Sequence, residues 1–445
     1  MEDSKSCSQE IRMSRFSKFM VLLLAGLLVS CQSVSRPITW AQQGAISACG
    51  LAKSEPEEVG ISSERLRRIN KVMQGYVDEN KVAGLVTMVA RRGKVAHFAS
   101  LGTMDIESNK AMRPDTIFRI YSMSKPITSV AVMMLYEEGH FQLNDPVSKF
   151  IPEFKEVKVF VKKSEGGVEV AELKRQITIR DLLTHTSGLA YGLSKDTAVD
   201  EMYQEEKMLK WDETLEEKVR RLVKLPLANQ PGSTWRYSIG TDVLGYLVEV
   251  VSGKGFDVFL EERIFGPLRM EDTGFYVPGD KIGRFAELYN GGKNEGLERD
   301  HTLYWGDFTK RPRFLSGGGG LVSTAGDYMR FCQMMLNGGE LGGRRLLGRK
   351  TVELMTANHL SSELISQGNM TKGYGFGLGF GVLMDVAQSE ELGSEGEYTW
   401  GGAASTGFWI DPEEELIGIL MTQFIPYTGR FTQEFKVLTY QAIVD

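Results

Sequence analysis

The strongest constraint in this sequence is that its β-type segments lie at the two ends of the chain, with helical ones between them. Near the start, residues 84–90 (GLVTMVA) and 94–102 (KVAHFASLG) are two β-like runs separated by Arg91-Arg92-Gly93, which predicts a hairpin with a glycine in its turn. Near the end, residues 404–410 and 415–423 flank Asp411-Pro412-Glu413-Glu414, a strong turn signal. Apolar residues at helical spacing mark 63–80, 122–138, 198–226, 241–252 and a closing stretch at 431–443. Residues 155–178 are charged and contain two glycines, which predicts a surface hairpin; 179–189 predicts a short helix and a glycine turn. Strands must pair, and these partners are far apart in the chain. The expected fold is therefore α+β (α/β in the broad sense): one antiparallel sheet built from both chain ends, flanked by helices, with an inserted and mostly helical lobe.

With 445 residues, 42% of them hydrophobic, the chain can bury a large core. The net charge of −6 and the lack of a basic stretch argue against nucleic acid as a partner. No short internal repeat suggests a solenoid or propeller. No C-x-x-C or H-E-x-x-H spacing occurs, so neither a metal nor another cofactor is expected. Nothing in the sequence fixes an oligomeric state.

The N-terminus predicts export. Residues 19–29 form an apolar run of 11, too short for a membrane span of about 20 residues, with Arg15 and Lys18 ahead of it. Residues 1–30 are expected to be a signal peptide, 31–55 a linker, and 56–445 the folded domain. Leu28-Val29-Ser30-Cys31 resembles the bacterial lipoprotein box, in which Cys31 would carry the lipid; the alternative is an ordinary cleaved signal with an incidental cysteine. The product would be periplasmic or on the cell surface. Glu2, Asp3 and Glu10 are unusual ahead of such a run, and Met13 offers a cleaner start than Met1. Of the other cysteines, Cys332 falls in a helical apolar pattern and is expected to be a buried thiol.

Ser122-Met123-Ser124-Lys125 places a hydroxyl and an amine at i and i+3, on one face of a helix start. A serine hydroxyl needs a base to become a nucleophile, and a desolvated lysine can act as one. A helix N-terminus also favours a developing anion. By itself the motif is weak, since a capping serine at an ordinary helix start looks the same.

Its surroundings add specificity. FRIYSMSK (118–125) is followed by an apolar helix and LNDPVSKFIPEF. Thr184-His185-Thr186-Ser187-Gly188-Leu189 comes next, then Tyr237-Ser238 after Pro231-Gly232, and late in the chain Trp400-Gly401-Gly402-Ala403. These segments, in this order and over about residues 56 to 440, resemble the serine β-lactamase-like superfamily, and within it the class C-related family VIII carboxylesterases. The resemblance implies a β-lactamase/transpeptidase-like fold and an acyl-enzyme on Ser122. Lys125 and Tyr237 would be the proton-transfer groups, and the backbone N–H groups of Ser122 and Ala403 the oxyanion hole. Trp400, Gly401 and Gly402 would bind substrate. It also implies a small-molecule ester as substrate and no cofactor. Two departures from the β-lactamase pattern bear on substrate. Tyr-x-Asn is replaced by Tyr237-Ser238-Ile239, and Lys-Thr-Gly by Trp400-Gly401-Gly402. The second removes a cation suited to a penicillin carboxylate, so neutral esters are expected over β-lactams. β-Lactamase or D,D-peptidase action, acyl transfer, and a surface lipoprotein that only binds are the alternatives.

Other candidates have plainer explanations. Ser405 is expected on a strand, because the Ser–acid–His chain order of an α/β-hydrolase cannot be met after it. His185 is expected to hold structure by hydrogen bonding. The run Ser316–Gly320 lacks the Lys-Ser/Thr of a phosphate loop and predicts a tight backbone passage beside the cleft. Trp235, Tyr289, Trp305 and Trp400 are candidates for the pocket wall.

Overall fold

A computed structural model describes residues 51–445, apart from 165–166, 194–196, 292–295, 303–305 and 368–369. The predicted signal segment, Cys31, both candidate start methionines, Cys49 and Trp305 lie outside the described residues.

Nine strands make the main sheet: β1 (Ala52–Lys53), β2 (Gly84–Arg91), β3 (Lys94–Asp105), β4 (Lys110–Ala111), β5 (Tyr374–Phe376), β6 (Gly381–Leu383), β7 (Tyr398–Gly402), β8 (Thr406–Asp411) and β9 (Leu416–Thr422). Their order is β1-β3-β2-β9-β8-β7-β6-β5, with β4 pairing β3. The join between the two chain ends is β9 on β2, antiparallel, with Ile419 opposite Met88. The sheet is antiparallel except at its edge, where Ala52 and Lys53 pair in parallel with Lys94 and Val95. The last part of the segment expected to be linker therefore already belongs to the sheet.

Alternation along each strand sends side chains to both faces, and both faces are covered. Leu85, Val89, Trp409, Leu416 and Leu420 pack against helices α1 (Ser63–Asp78) and α5 (Arg430–Tyr440), which supply Leu66, Ile69, Met73, Phe431 and Phe435. Val86, Met88, Phe408, Ile410, Ile417 and Ile419 face the larger core with α2 (Ser124–Glu137) and α4 (Ala325–Leu336). Helix α2 is buried on nearly all sides, which its Ile-Thr-Ser-Val-Ala-Val-Met-Met-Leu run allows. Truncating a buried side chain such as Phe408 to alanine costs about 3–5 kcal/mol.

The inserted lobe contains α3 (Gly240–Ser252), which packs on α2, and shorter helices at Ile179–Leu183, Ala198–Glu205 and Leu215–Leu222. Thr178, Thr197 and Thr214 cap these three with side-chain oxygens, as their sequence positions require. The surface hairpin expected between 155 and 178 is present as strands Val159–Ser164 and Gly167–Ala171. Cys332 is buried as a free thiol.

Candidate active site

The start of α2, the loop ahead of α3, the glycine run at 316–320 and the end of β7 meet at one cavity of about 480 Å³ between sheet and lobe. Ser122 sits in a 3-10 turn, Tyr121–Met123, immediately before α2 rather than within it. Tyr121 has φ 41°, a left-handed conformation that costs a non-glycine residue of order 1–3 kcal/mol. The surroundings hold that turn in place. Tyr328 on α4 donates its hydroxyl to Met123 O at 2.9 Å, and the Leu321 N–H donates to Ser124 Oγ at 3.1 Å.

Three predicted residues converge. Lys125 Nζ donates to Ser122 Oγ at 3.1 Å, and the Tyr237 hydroxyl donates to the same oxygen at 2.6 Å. Lys125 is 1% exposed, and its Nζ lies 4.6 Å from the centre of the Tyr237 ring. Its other hydrogen bonds go to Gly318 O at 2.7 Å and the Tyr191 hydroxyl at 3.5 Å.

Tyr191 was not singled out by the sequence. Its ring stacks on that of Tyr237 with centroids 5.2 Å apart. Burial, then the neighbouring Tyr237 and Asp242, push its phenol well above the ordinary range, so it stays protonated as a donor. A lone tyrosine two residues after a Gly-Leu turn carries no local signal of this; only the packing of the lobe brings it to Lys125.

His185 is 2% exposed, and its Nδ1 accepts from the Ser238 N–H at 3.3 Å. Burial first, and the nearby Lys125 second, push its imidazole well below the ordinary value, so it stays neutral. It fixes the backbone next to Tyr237 and makes no hydrogen bond to Ser122 among the described residues, in line with a structural role.

Strand β7 comes very close to the nucleophile turn. A Cβ on Gly402 would lie 2.4 Å from Ile120 O, so only glycine fits. This brings Ala403 to the cavity wall beside Ser122. Neither the Ser122 N–H nor the Ala403 N–H donates to another protein group among the described residues. Two free donors at the nucleophile are what an oxyanion site requires. Ser405 is not on a strand. It closes the β7–β8 turn with φ 62°, and its hydroxyl donates to Phe424 O and accepts from the Thr428 N–H, both at 3.0 Å. The turn needs a small side chain that can satisfy the backbone on both sides, and that need outweighs the apolar run to which Ser405 was assigned.

Much of the cavity wall is apolar, with Leu193, Met208, Trp211, Phe314, Trp400 and Tyr427 among its lining residues. Trp400 lies against Tyr237 at 5.7 Å and Phe376 at 5.3 Å between ring centres. Gly401 and Gly402 line the cavity beside it; Trp235 and Tyr289 pack in the core instead. The two lysines among the lining residues are already paired, Lys218 with Glu213 at 3.3 Å and Lys436 with Glu397 at 2.6 Å. The glycine run is the tight passage expected: a Cβ on Gly317 would lie 2.6 Å from Thr241 O.

Comparison with known proteins bears on what this arrangement is. A family model described as Beta-lactamase matches residues 69–436. Protein Rv1367c of Mycobacterium tuberculosis is 36% identical over 356 residues, covering 78% of this chain and 88% of that protein. Esterase EstB of Burkholderia gladioli is 30% identical over 388 residues, covering 83% of this chain and 94% of the esterase. Among solved structures, EstCE1, described as a hydrolase with promiscuous acyltransferase activity, superposes with a TM-score of 0.73 at 28% identity, covering 85% of this chain and 99% of that one.

Proposed function

The chain belongs to the Beta-lactamase family, a group of serine hydrolases with esterase and acyltransferase members, and on that premise we propose that it cleaves neutral carboxylic esters through an acyl-enzyme on Ser122. One observation carries the proposal: inside the cavity, Ser122 Oγ receives hydrogen bonds from both Lys125 and Tyr237.

Ser122 Oγ bonds to the ester carbonyl carbon while its proton passes to the Lys125–Tyr237 pair, which accepts it in the state where the amine is neutral and later returns it through Tyr237. The carbonyl electrons move onto oxygen, where the N–H groups of Ser122 and Ala403 stabilise the anion. Losing one such donor typically costs on the order of 100-fold or more in rate. The anion collapses and breaks the C–O bond, and Tyr237 passes a proton to the departing alkoxide. Water then attacks the acyl-enzyme by the same steps in reverse, releasing the acid and restoring the Ser122 hydroxyl. No cofactor takes part in this scheme.

The neutral-substrate preference rests on Trp400 standing where a lysine would meet a substrate carboxylate, and on Lys218 and Lys436 already having carboxylate partners. Purified protein is expected to turn over p-nitrophenyl acetate or butyrate, with little action on nitrocefin; efficient nitrocefin turnover would favour the β-lactamase reading. A second outcome, transfer of the acyl group to an added alcohol, has the support of EstCE1's described activity. It is checked by product analysis with alcohol present.

The N-terminal sequence supports an exported, lipid-anchored form. Radioactive palmitate should label the parent and not Cys31→Ser; a parent that takes up no label would leave only the cleaved signal, and label that persists in the variant would place the lipid elsewhere.

A further inference from the structure

The Lys125 amine has no carboxylate among its hydrogen-bond partners in the described residues; it bonds two hydroxyls and the Gly318 carbonyl. The Gly318 contact is the shortest of the three, at 2.7 Å, so the position of that carbonyl sets where the amine points. What holds the carbonyl is Asp242, in the first turn of α3. A single carboxylate oxygen, Oδ1, accepts from Ser316 Oγ at 2.6 Å and from the Gly318 N–H at 3.0 Å. Thr128 on α2 grips the other side of the run, donating to Gly317 O at 2.8 Å. The passage is tight, and a Cβ on Gly318 would press against the carboxylate, 3.2 Å from Asp242 Oδ2. Asp242 is 5% exposed and makes no ion pair closer than 4 Å among the described residues. Lys218 acts on it electrostatically but pairs with Glu213 instead, so the close partners of this buried carboxylate are Ser316 and Gly318, and burying it on those terms is costly unless it holds the loop.

We propose that Asp242 is a positioning residue for the esterase chemistry: by fixing Ser316 and the Gly318 N–H, it aims the Gly318 carbonyl at Lys125 and keeps that amine in contact with Ser122. This rests on the reading of Ser122 and Lys125 given above. Asp242 does not touch Ser122. Its effect passes through one residue, Gly318, whose N–H it binds and whose carbonyl receives the lysine. Hydrogen bonds to a charged acceptor are roughly twice as strong as neutral ones, so an amide at this position holds the loop less firmly.

The test compares Asp242→Asn, Asp242→Ala and Ser122→Ala on p-nitrophenyl butyrate. Sites are counted by a fluorophosphonate probe, and fold is followed by thermal melting. Asp242→Asn is expected to fold and to lose about 10-fold in kcat per titrated site, with KM within about twofold. Asp242→Ala should lose about 100-fold in kcat, again with little change in KM. A purely structural role would lower the number of active sites and leave kcat per site intact. A kcat per site equal to the parent's in the Asn variant therefore overturns the proposal, even if the Ala variant fails to fold. Ser122→Ala separates the two readings. If it is inactive while the Asp242 variants match the parent, only the role of Asp242 falls; if it stays active, the nucleophile assignment falls as well.

Discussion

Two buried lysines on opposite faces of the sheet show how differently one cation can be used. Lys436, on α5, is 4% exposed and is neutralised by Glu397 at 2.6 Å and Glu391 at 3.3 Å. Tyr440 completes that cluster, its hydroxyl lying 2.7 Å from Glu397 Oε2 and 2.6 Å from Asp411 Oδ2, with one proton to donate between them. Lys125 is buried as deeply but faces only hydroxyls and a carbonyl. An ion-paired lysine is held as a charge and pins the helix that carries it. A lysine surrounded by neutral partners has no such anchor, and its proton can be handed to or taken from the hydroxyl beside it. The cluster around Lys436 therefore reads as structural, and the one around Lys125 as chemical.

If this contrast is right, removing each lysine gives crossed outcomes. Lys125→Met is expected to lower kcat per site by about 10³-fold or more, as for loss of a general base. Its stability should stay within about 1.5 kcal/mol of the parent, because relief of a deeply desolvated amine offsets the unmet Gly318 carbonyl. Tyr237→Phe should cost about 10²-fold in kcat with the melting temperature nearly unchanged, since the ring keeps its packing on Tyr191, His185 and Trp400. Lys436→Met should do the reverse, costing about 3 kcal/mol of stability by stranding Glu397 while kcat per folded site stays within about threefold. Chemical denaturation alongside active-site titration reads both quantities. Equal losses of stability and activity in both lysine variants would erase the distinction.

The smallest effect is a pH dependence on the structural side. Burial raises the Glu397 carboxyl to about 7, with Lys436 and Tyr440 opposing the shift. The group is ionised in the unfolded chain above the ordinary carboxylate range, but in the folded one only above about 7. Folding therefore favours the protonated form, and this contribution is lost as pH rises through that window. The groups facing it are Lys436 and Tyr440 on α5 and Asp411 at the end of β8, with Tyr374 and Glu391 beside Lys436. Melting curves of Glu397→Gln against the parent should shift in favour of the variant between pH 5 and pH 8, by a few degrees. A gap that does not change with pH would show that Glu397 is ionised throughout.

The sequence reveals a great deal about the fold because the fold's constraints are local and periodic. The hairpin at 84–102, the helices at 63–80, 122–138 and 241–252, and the β8–β9 pair all lie within a few residues of where their patterns place them. Ser122, Lys125 and Tyr237 are also visible from motifs, and the structure brings them together. What the motifs miss is long-range. Tyr191 reaches Lys125 from 66 residues away with no local pattern that marks it, and the glycine run, though visible as a tight passage, does not reveal that Gly318, 193 residues away, offers its carbonyl to Lys125. Asp242 looks like an acid in the first turn of a helix, an ordinary place for one, until the loop it binds is seen. Ser405 is misread for a related reason, since its φ is set by a turn that joins two strands and not by its own neighbours.

The account rests on Ser122 becoming acylated during turnover. Intact-protein mass spectrometry during steady-state hydrolysis of p-nitrophenyl butyrate, at a pH and temperature that slow release, should show a butyryl adduct that maps to the peptide containing Ser122. The adduct should be absent from Ser122→Ala and depleted in Lys125→Met. An adduct on another residue, or one of equal yield in Ser122→Ala, would contradict it.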